Sequence, residues 1–408
     1  MKFGKVGQVG LVSAIALIVA TLFTACSTLT VGFLFVATTK QTPGQMEVYE
    51  VNSESGVLRT IPTSPFPSGG RNPIAEAADA TSQNLYVVNN DDNNIVQFGI
   101  GTDGKLYPQS TVNTPGSFPL AVAINAAGTF LYVVDTLGPA AGCSLSNPCP
   151  GDIAVYPINS DGSLGTAVAN NDASPNYWPL TITASNNTVL TPTGVNVLAN
   201  NSNVYVTAYN PATHAGYLFG FTANSDGTLT ELTLGCPVST PNCGVLPLSV
   251  GSEPVAMASD TASQNLYIAD EAANKIDGFS LAPTGVPSLV STTGSGNQPA
   301  ALTLFNDKFL YVANSLDSTV SAYNATSGSL SAIGTYAAST NPVAIAVDPR
   351  NIGFLYTVNF LGSSLSGFQI NPTNGTLINT QASPYLSSAQ PTAISGVPHG
   401  GTASGTNK

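Results

Sequence analysis

Five cysteines carry the most legible chemistry of this 408-residue chain. Cys143 and Cys149 bracket CSLSNPC, Cys236 and Cys243 bracket CPVSTPNC, and Cys26 follows Thr24-Ala25. Each pair closes a short loop with a proline in it. With no CxxC spacing and no neighbouring histidine, the pairs read as two local disulfides and not as zinc ligands. A second donor set is made of oxygens. Asn89, Asp135, Asp270, Asn314 and Asn359 recur at one point of a repeated phrase, with Glu253 at another. A ring of such carboxylates and amides could coordinate Ca²⁺. The same residue types commonly bond turn backbones, and their recurrence in nearly every copy favours that role, so no metal or other cofactor is expected. Nitrogen bases are scarce: His214, His399, Arg59, Arg71 and Arg350 are the histidines and arginines of the chain.

The elements that would position these residues come from a repeat. The phrase Phe-Leu-Tyr-Val-Ala-Asn or a near copy begins at Phe33, Asn84, Phe130, Asn203, Asn265, Phe309 and Phe354, with spacings of 51, 46, 73, 62, 44 and 45 residues. A period near 45 with alternating apolar residues predicts an all-β seven-bladed propeller, one four-stranded antiparallel sheet per repeat. An X-Pro opening precedes every copy after the first, and an alternating strand and a Gly turn, such as Asp161-Gly162 or Asn374-Gly375, come after the copies. The openings are Asn72-Pro73, Phe118-Pro119, Trp178-Pro179, Glu253-Pro254, Gln298-Pro299, Asn341-Pro342 and Gln390-Pro391. The first copy has no opening before it and the last opening has no copy after it. The C-terminal strand is therefore expected to close the first blade.

This strand order puts the ends of the repeated strands, the loops between second and third strands and the entries to each blade on one face, here called the top. Both cysteine loops, Tyr177, Trp178 and His214 are expected there, as ligand-binding candidates together with Asp135 and Asp270. A small molecule, a glycan or a protein fits such a face. The formal charge of −12 and the absence of any basic stripe exclude nucleic acid.

The repeat resembles the YVTN-repeat and lactonase-like seven-bladed propellers, the superfamily that includes bacterial 6-phosphogluconolactonase, over about residues 30–398. That resemblance implies polar catalytic residues at the central channel, and only His214, Arg71 and Glu253 are placed to serve. Two functions follow as expectations: a membrane-anchored binding scaffold acting through the stapled top face, or a hydrolase that opens a lactone at the channel. An acidic surface poor in arginine argues against a phosphorylated substrate.

Lys2 and Lys5, the apolar run Val9–Ala25 and the following cysteine describe an export signal over residues 1–25. Leu22-Phe23-Thr24-Ala25-Cys26 resembles the bacterial lipobox, with Phe23 in place of the usual leucine. An ordinary signal peptide or an uncleaved anchor is the alternative. The expected organisation is a signal at 1–25, a propeller at 26–398 and a flexible tail at 399–408, held to the cell envelope by an acylated Cys26, at the outer membrane or the periplasmic face. Removing the signal leaves 8 basic and 22 acidic residues, a formal charge of −14. Cys26→Ser is expected to move the protein from the membrane to the soluble fraction. Unchanged fractionation would rule the lipid out.

Overall fold

Each of the seven repeated phrases forms the second strand of its own antiparallel sheet. The computed structural model describes residues 30–170, 176–182, 188–232, 247–388 and 390–399. In blade order, the second strands are Thr30–Thr38, Asn84–Asn89, Phe130–Leu137, Asn203–Tyr209, Asn265–Asp270, Phe309–Asn314 and Phe354–Asn359. The innermost strands are Pro391–Pro398, Pro73–Ala78, Ser117–Ile124, Thr191–Val197, Pro254–Ser259, Pro299–Phe305 and Pro342–Val347. Neighbouring innermost strands touch all the way round, so they wall a central channel. The helical content of the described residues is one 3-10 turn at Asn90–Asp92, and no helix is long and apolar enough to cross a membrane.

Alternation along each second strand feeds two seams at once. Phe33, Phe35 and Ala37 pack toward blade two, while Leu34 and Val36 pack toward blade seven. The buried apolar side chains accordingly fall into seven clusters, one for each seam between blades.

The repeated phrase also explains the turn glycines. In four blades the tyrosine at its third position donates its hydroxyl to the carbonyl of the turn glycine on the next blade. Tyr86 bonds Gly162 at 2.7 Å, Tyr311 bonds Gly375 at 3.0 Å, Tyr356 bonds Gly56 at 2.7 Å, and Tyr205 bonds Gly285. The residue two places earlier packs against the same glycine. A Cβ on Gly375 would come within 2.5 Å of Phe309, and one on Gly56 within 2.3 Å of Phe354. Both glycines also have left-handed φ, 73° and 66°, so two independent constraints exclude a side chain there.

The ring closes as expected. The C-terminal strand pairs antiparallel with Thr30–Thr38, from Gly32 opposite Pro398 to Thr38 opposite Pro391. Arg350, in a bottom-face turn of blade seven, clamps this closure. Its Nε donates to the Val31 carbonyl at 3.1 Å and its Nη2 to the carbonyl of His399. His399 also bonds Val31 through its N–H (2.9 Å) and sets its ring edge-on to Phe33. It is thus docked on the ring and is not part of a free tail; residues 400–408 lie outside the described residues.

One opening was misassigned by sequence. Trp178-Pro179 does not begin blade four. It is the outermost strand of blade three, with Trp178 opposite Ile153, and blade four begins at Thr191-Pro192. The mistake arises because an X-Pro pair marks a strand start equally well at an edge as at the channel.

Tyr356→Phe and Tyr311→Phe should each cost about 1–2 kcal/mol, since each leaves a buried glycine carbonyl without its donor. Urea unfolding measures this. A loss below about 0.5 kcal/mol in both would show that the hydroxyls do not hold the seams.

Candidate functional site

At the mouth of the channel the chain does something unusual. Immediately before the proline of six innermost strands stands a left-handed residue that is not glycine: Asn72 (φ 54°), Phe118 (58°), Glu253 (58°), Gln298 (53°), Asn341 (61°) and Gln390 (44°). The residue before a proline normally prefers extended backbone, so each position is strained. The compensation is a hydrogen bond. The turned carbonyls of Asn72, Glu253, Gln298, Asn341 and Gln390 accept the N–H of the residue that follows the second strand, at 2.8–3.2 Å. A ring of mainly polar residues thereby stands at the top opening of the channel.

A second left-handed residue, just before the third strand, recurs in five blades, and in four of them it ties one blade to the next. Asn93 and Asn274 accept the N–H of Phe118 and Gln298 at 2.8 Å, and the hydroxyls of Ser318 and Ser363 accept those of Asn341 and Gln390 at 3.4 and 3.5 Å. His214 (φ 60°) occupies this place in blade four, but it does not bond the backbone of the next blade. Its Nδ1 meets the carboxylate of Glu253 instead. A carboxylate only accepts, so Nδ1 donates to it and Nε2 is the ring nitrogen left outside this bond, on a side chain that is 63% exposed. Two further groups adjoin Glu253. Burial, then the carboxylates of Glu253 and Glu271, hold the Tyr209 hydroxyl above its ordinary range, and burial, then Glu253, raises Glu271. The result is an imidazole base oriented by a carboxylate, with a protonated phenol close by: the parts of a water-activating centre.

Farther down, the channel wall holds a carboxyl that sequence reasoning missed. Glu76 occupies the place filled by Val122, Val195, Met257, Leu302, Ile345 and Ile394 in the other blades. Both its oxygens are buried without a hydrogen-bond partner, as are Ser395 Oγ and Asn196 Oδ1 on other innermost strands. Burial pushes the Glu76 carboxyl up to about 8, with Ser395 opposing the shift, so it is largely protonated at neutral pH. The signal was present in the sequence as one charged residue inside the small-apolar run Pro-Ile-Ala-Glu-Ala-Ala.

Comparison with protein-family models matches residues 33–395 to the lactonase seven-bladed β-propeller family. The chain belongs to that family. Among solved structures, the lactonase-family chain is similar to a Bacteroides fragilis protein assigned as a 6-phosphogluconolactonase (18% identity, TM-score 0.70, covering 91% of this chain and 99% of that one). It is similar as well to the periplasmic gluconolactonase of Pseudomonas aeruginosa (16%, TM-score 0.71, 90% and 99%). At these identities the likeness is one of fold. No curated protein matches the chain.

In this lactonase-family propeller the predicted site residues separate. His214 and Glu253 meet, as described. Arg71 does not join them. It lies at the entry to blade two, bonded to Asp92 through Nε at 2.7 Å and to the Asp91 carbonyl at 3.0 Å. Trp178 is 5% exposed and packs among Ile153, Leu180 and Phe219 between blades three and four, so it cannot flank an open site. Tyr177 packs into the opposite seam, between blades two and three, because neighbouring strand residues face opposite ways. Asp135 and Asp270 are buried, and so are Asn89, Asn314 and Asn359. These side chains bond turns, the role that their recurrence in the sequence favours, as Asp270 does through the N–H groups of Ser252 (2.7 Å) and Ala273 (3.0 Å). Cys143 and Cys149 form a disulfide in the loop between the second and third strands of blade three. Cys236, Cys243 and Cys26 lie outside the described residues.

The raised Glu76 pKa fixes the sign of a stability change. A carboxyl whose folded pKa exceeds its unfolded value stabilises the fold below the unfolded value, about 4.5, and that contribution is lost as pH rises through about 8. Glu76→Gln should therefore gain on wild type by about 4 kcal/mol between pH 4.5 and pH 8, as read from paired denaturation curves. Parallel pH profiles would show that Glu76 is not held protonated.

Proposed function

We propose that this protein is an exported hydrolase that opens an unphosphorylated lactone at the mouth of its channel. The observation that carries the reading is the His214–Glu253 pair, an oriented base facing solvent at the mouth of a lactonase-family propeller. In the proposed reaction Nε2 of His214 takes a proton from water as the water oxygen bonds the lactone carbonyl carbon. Tyr209, whose hydroxyl feels the charge of Glu253, would stabilise the oxyanion. The ring C–O bond then breaks, the proton held by His214 passes to the departing alkoxide, and the new carboxylic acid ionises into solvent.

Two of the three cations that the described residues place on the top face are already engaged, and the third, Lys40, is an exposed loop residue of blade one, which favours an uncharged substrate. Arg71 is held by Asp92, and Lys275 lies 3.8 Å from Asp270 and 3.7 Å from Asp277. Together with the net charge of −12 this disfavours a phosphate group. The alternative, a non-catalytic scaffold, loses its main anchor with the burial of Trp178. Export and attachment through Cys26 remain proposals, supported by the basic-apolar-cysteine start of the chain and by the Cys143–Cys149 disulfide, a bond typical of oxidising compartments.

A pH-stat assay of unphosphorylated aldonolactones against their 6-phospho forms tests the function. The unphosphorylated ring should be opened preferentially. His214→Gln and Glu253→Gln should each lower kcat by at least about 100-fold without changing the melting temperature. Full activity in His214→Gln would remove the pair from catalysis, and no opening of any lactone would reject the function.

A further inference from the structure

Blade three contains a pairing that the other blades avoid. In six blades a residue at or near the end of the second strand stands opposite the first residue of the third. Four blades make this pair complementary: Asn89 with Asn94 (3.0 Å), Asp270 with Lys275 (3.8 Å), Asn314 with Thr319 (3.0 Å) and Asn359 with Ser364 (3.3 Å). Blade three sets Asp135 against Asp152, carboxyl facing carboxyl, with both residues 0% exposed. Asp135 Oδ2 accepts the Gly116 N–H at 3.0 Å. Asp135 Oδ1 and both oxygens of Asp152 have no partner, and no lysine, arginine or histidine among the described residues forms an ion pair with either side chain. Directly opposed buried carboxylates repel strongly, so the pair must either share a proton or take up a cation.

The surroundings are built of hard oxygen donors. A Cβ on Gly116 would lie 2.5 Å from the Leu137 carbonyl oxygen and 2.7 Å from Asp152 Oδ2. One on Gly138 would lie 2.9 Å from the Pro150 carbonyl oxygen and 3.5 Å from the same Asp152 oxygen. Two glycines thus keep side chains away from the place where both carboxyls and two carbonyls gather. We infer that Asp135 and Asp152 form a divalent-cation site of the Ca²⁺ class at the base of the disulfide-stapled loop of blade three. Two negative charges with carbonyl oxygens are the donors Ca²⁺ takes, and no soft ligand is present. This is not the ring of oxygens considered from the sequence; it belongs to one blade. The loop between these strands would be closed twice, at its tip by Cys143–Cys149 and at its base by the ion.

Purified protein stripped with EDTA is titrated with CaCl₂ by calorimetry and by thermal melting, with MgCl₂ as comparison and Tb³⁺ luminescence as an optical probe. One Ca²⁺ per chain should bind with Kd at or below about 1 mM and raise the melting temperature. Asp152→Asn and Asp135→Asn should each weaken binding at least about tenfold, while Asp270→Asn, whose pair already contains Lys275, should bind as wild type. Ca²⁺ at about 10 mM that neither binds nor shifts the wild-type melting temperature overturns the site, whatever the variants do. Wild-type affinity in a folded Asp152→Asn overturns it equally.

Discussion

The ring stands on one repeated contact, a tyrosine hydroxyl given to the carbonyl of a turn glycine on the neighbouring blade. A blade by itself is a four-stranded sheet with apolar residues on both faces, and such a sheet cannot be stable alone. Apolar packing between two sheets is nearly isotropic and would tolerate sliding. The hydroxyl adds direction. It is offered at a fixed height in each sheet and can be met only by a carbonyl that the left-handed glycine turns toward it, so it sets the offset from one blade to the next. Where the contact is missing, apolar packing takes over: the cluster around Phe33, Phe35, Leu85 and Phe98 at the seam between blades one and two, and the one around Tyr132, Trp178 and Phe221 between blades three and four.

Legibility followed how far each signal depends on its own strand. The repeated phrase, the Asp-Gly and Asn-Gly turns and the C-terminal closure are local patterns with a period, and each could be read without knowing any neighbour. Trp178-Pro179 misled because its identity as an edge strand depends on Ile153, a residue that the sequence does not point to. The candidate site divided the same way. That His214 and Glu253 share a face follows from strand order, and they do meet. Arg71 shares the face as well but is claimed by Asp92, a partner 21 residues along whose position depends on the short 3-10 turn. Burial of Asp135 and Asp270 could not be foreseen from a charged residue at a strand end. Glu76 was readable, by aligning the innermost strands and asking which one breaks the aliphatic rule.

The unsatisfied polar atoms sharpen this division. Buried groups without partners are few in a folded protein and usually have a reason. Those of the described residues are mostly gathered at the channel wall, in Glu76, Ser395 and Asn196, and at the top of blade three, in Asp135 and Asp152. Asn89 leaves only its Oδ1 without a partner, and Asp270, Asn314 and Asn359, which look equally reactive in the sequence, are satisfied by neighbouring groups. A repeat fold therefore separates structure from function by exception: wherever one blade departs from the pattern of its siblings, the departure is the informative residue.

The clamp made by Arg350 decides which way the molecule faces. Val31, His399 and the Arg350 turn all lie at the end of the ring opposite the channel mouth, since Thr30–Thr38 enters at the bottom and reaches the mouth only at Thr38. A tether upstream of Thr30 therefore pulls on the bottom face. Were the lipid on Cys26, four residues before that strand, the link could reach only about 13 Å. The propeller would then rest on the bilayer like a cup on its base, with the His214–Glu253 mouth opening away from the membrane toward whatever diffuses past.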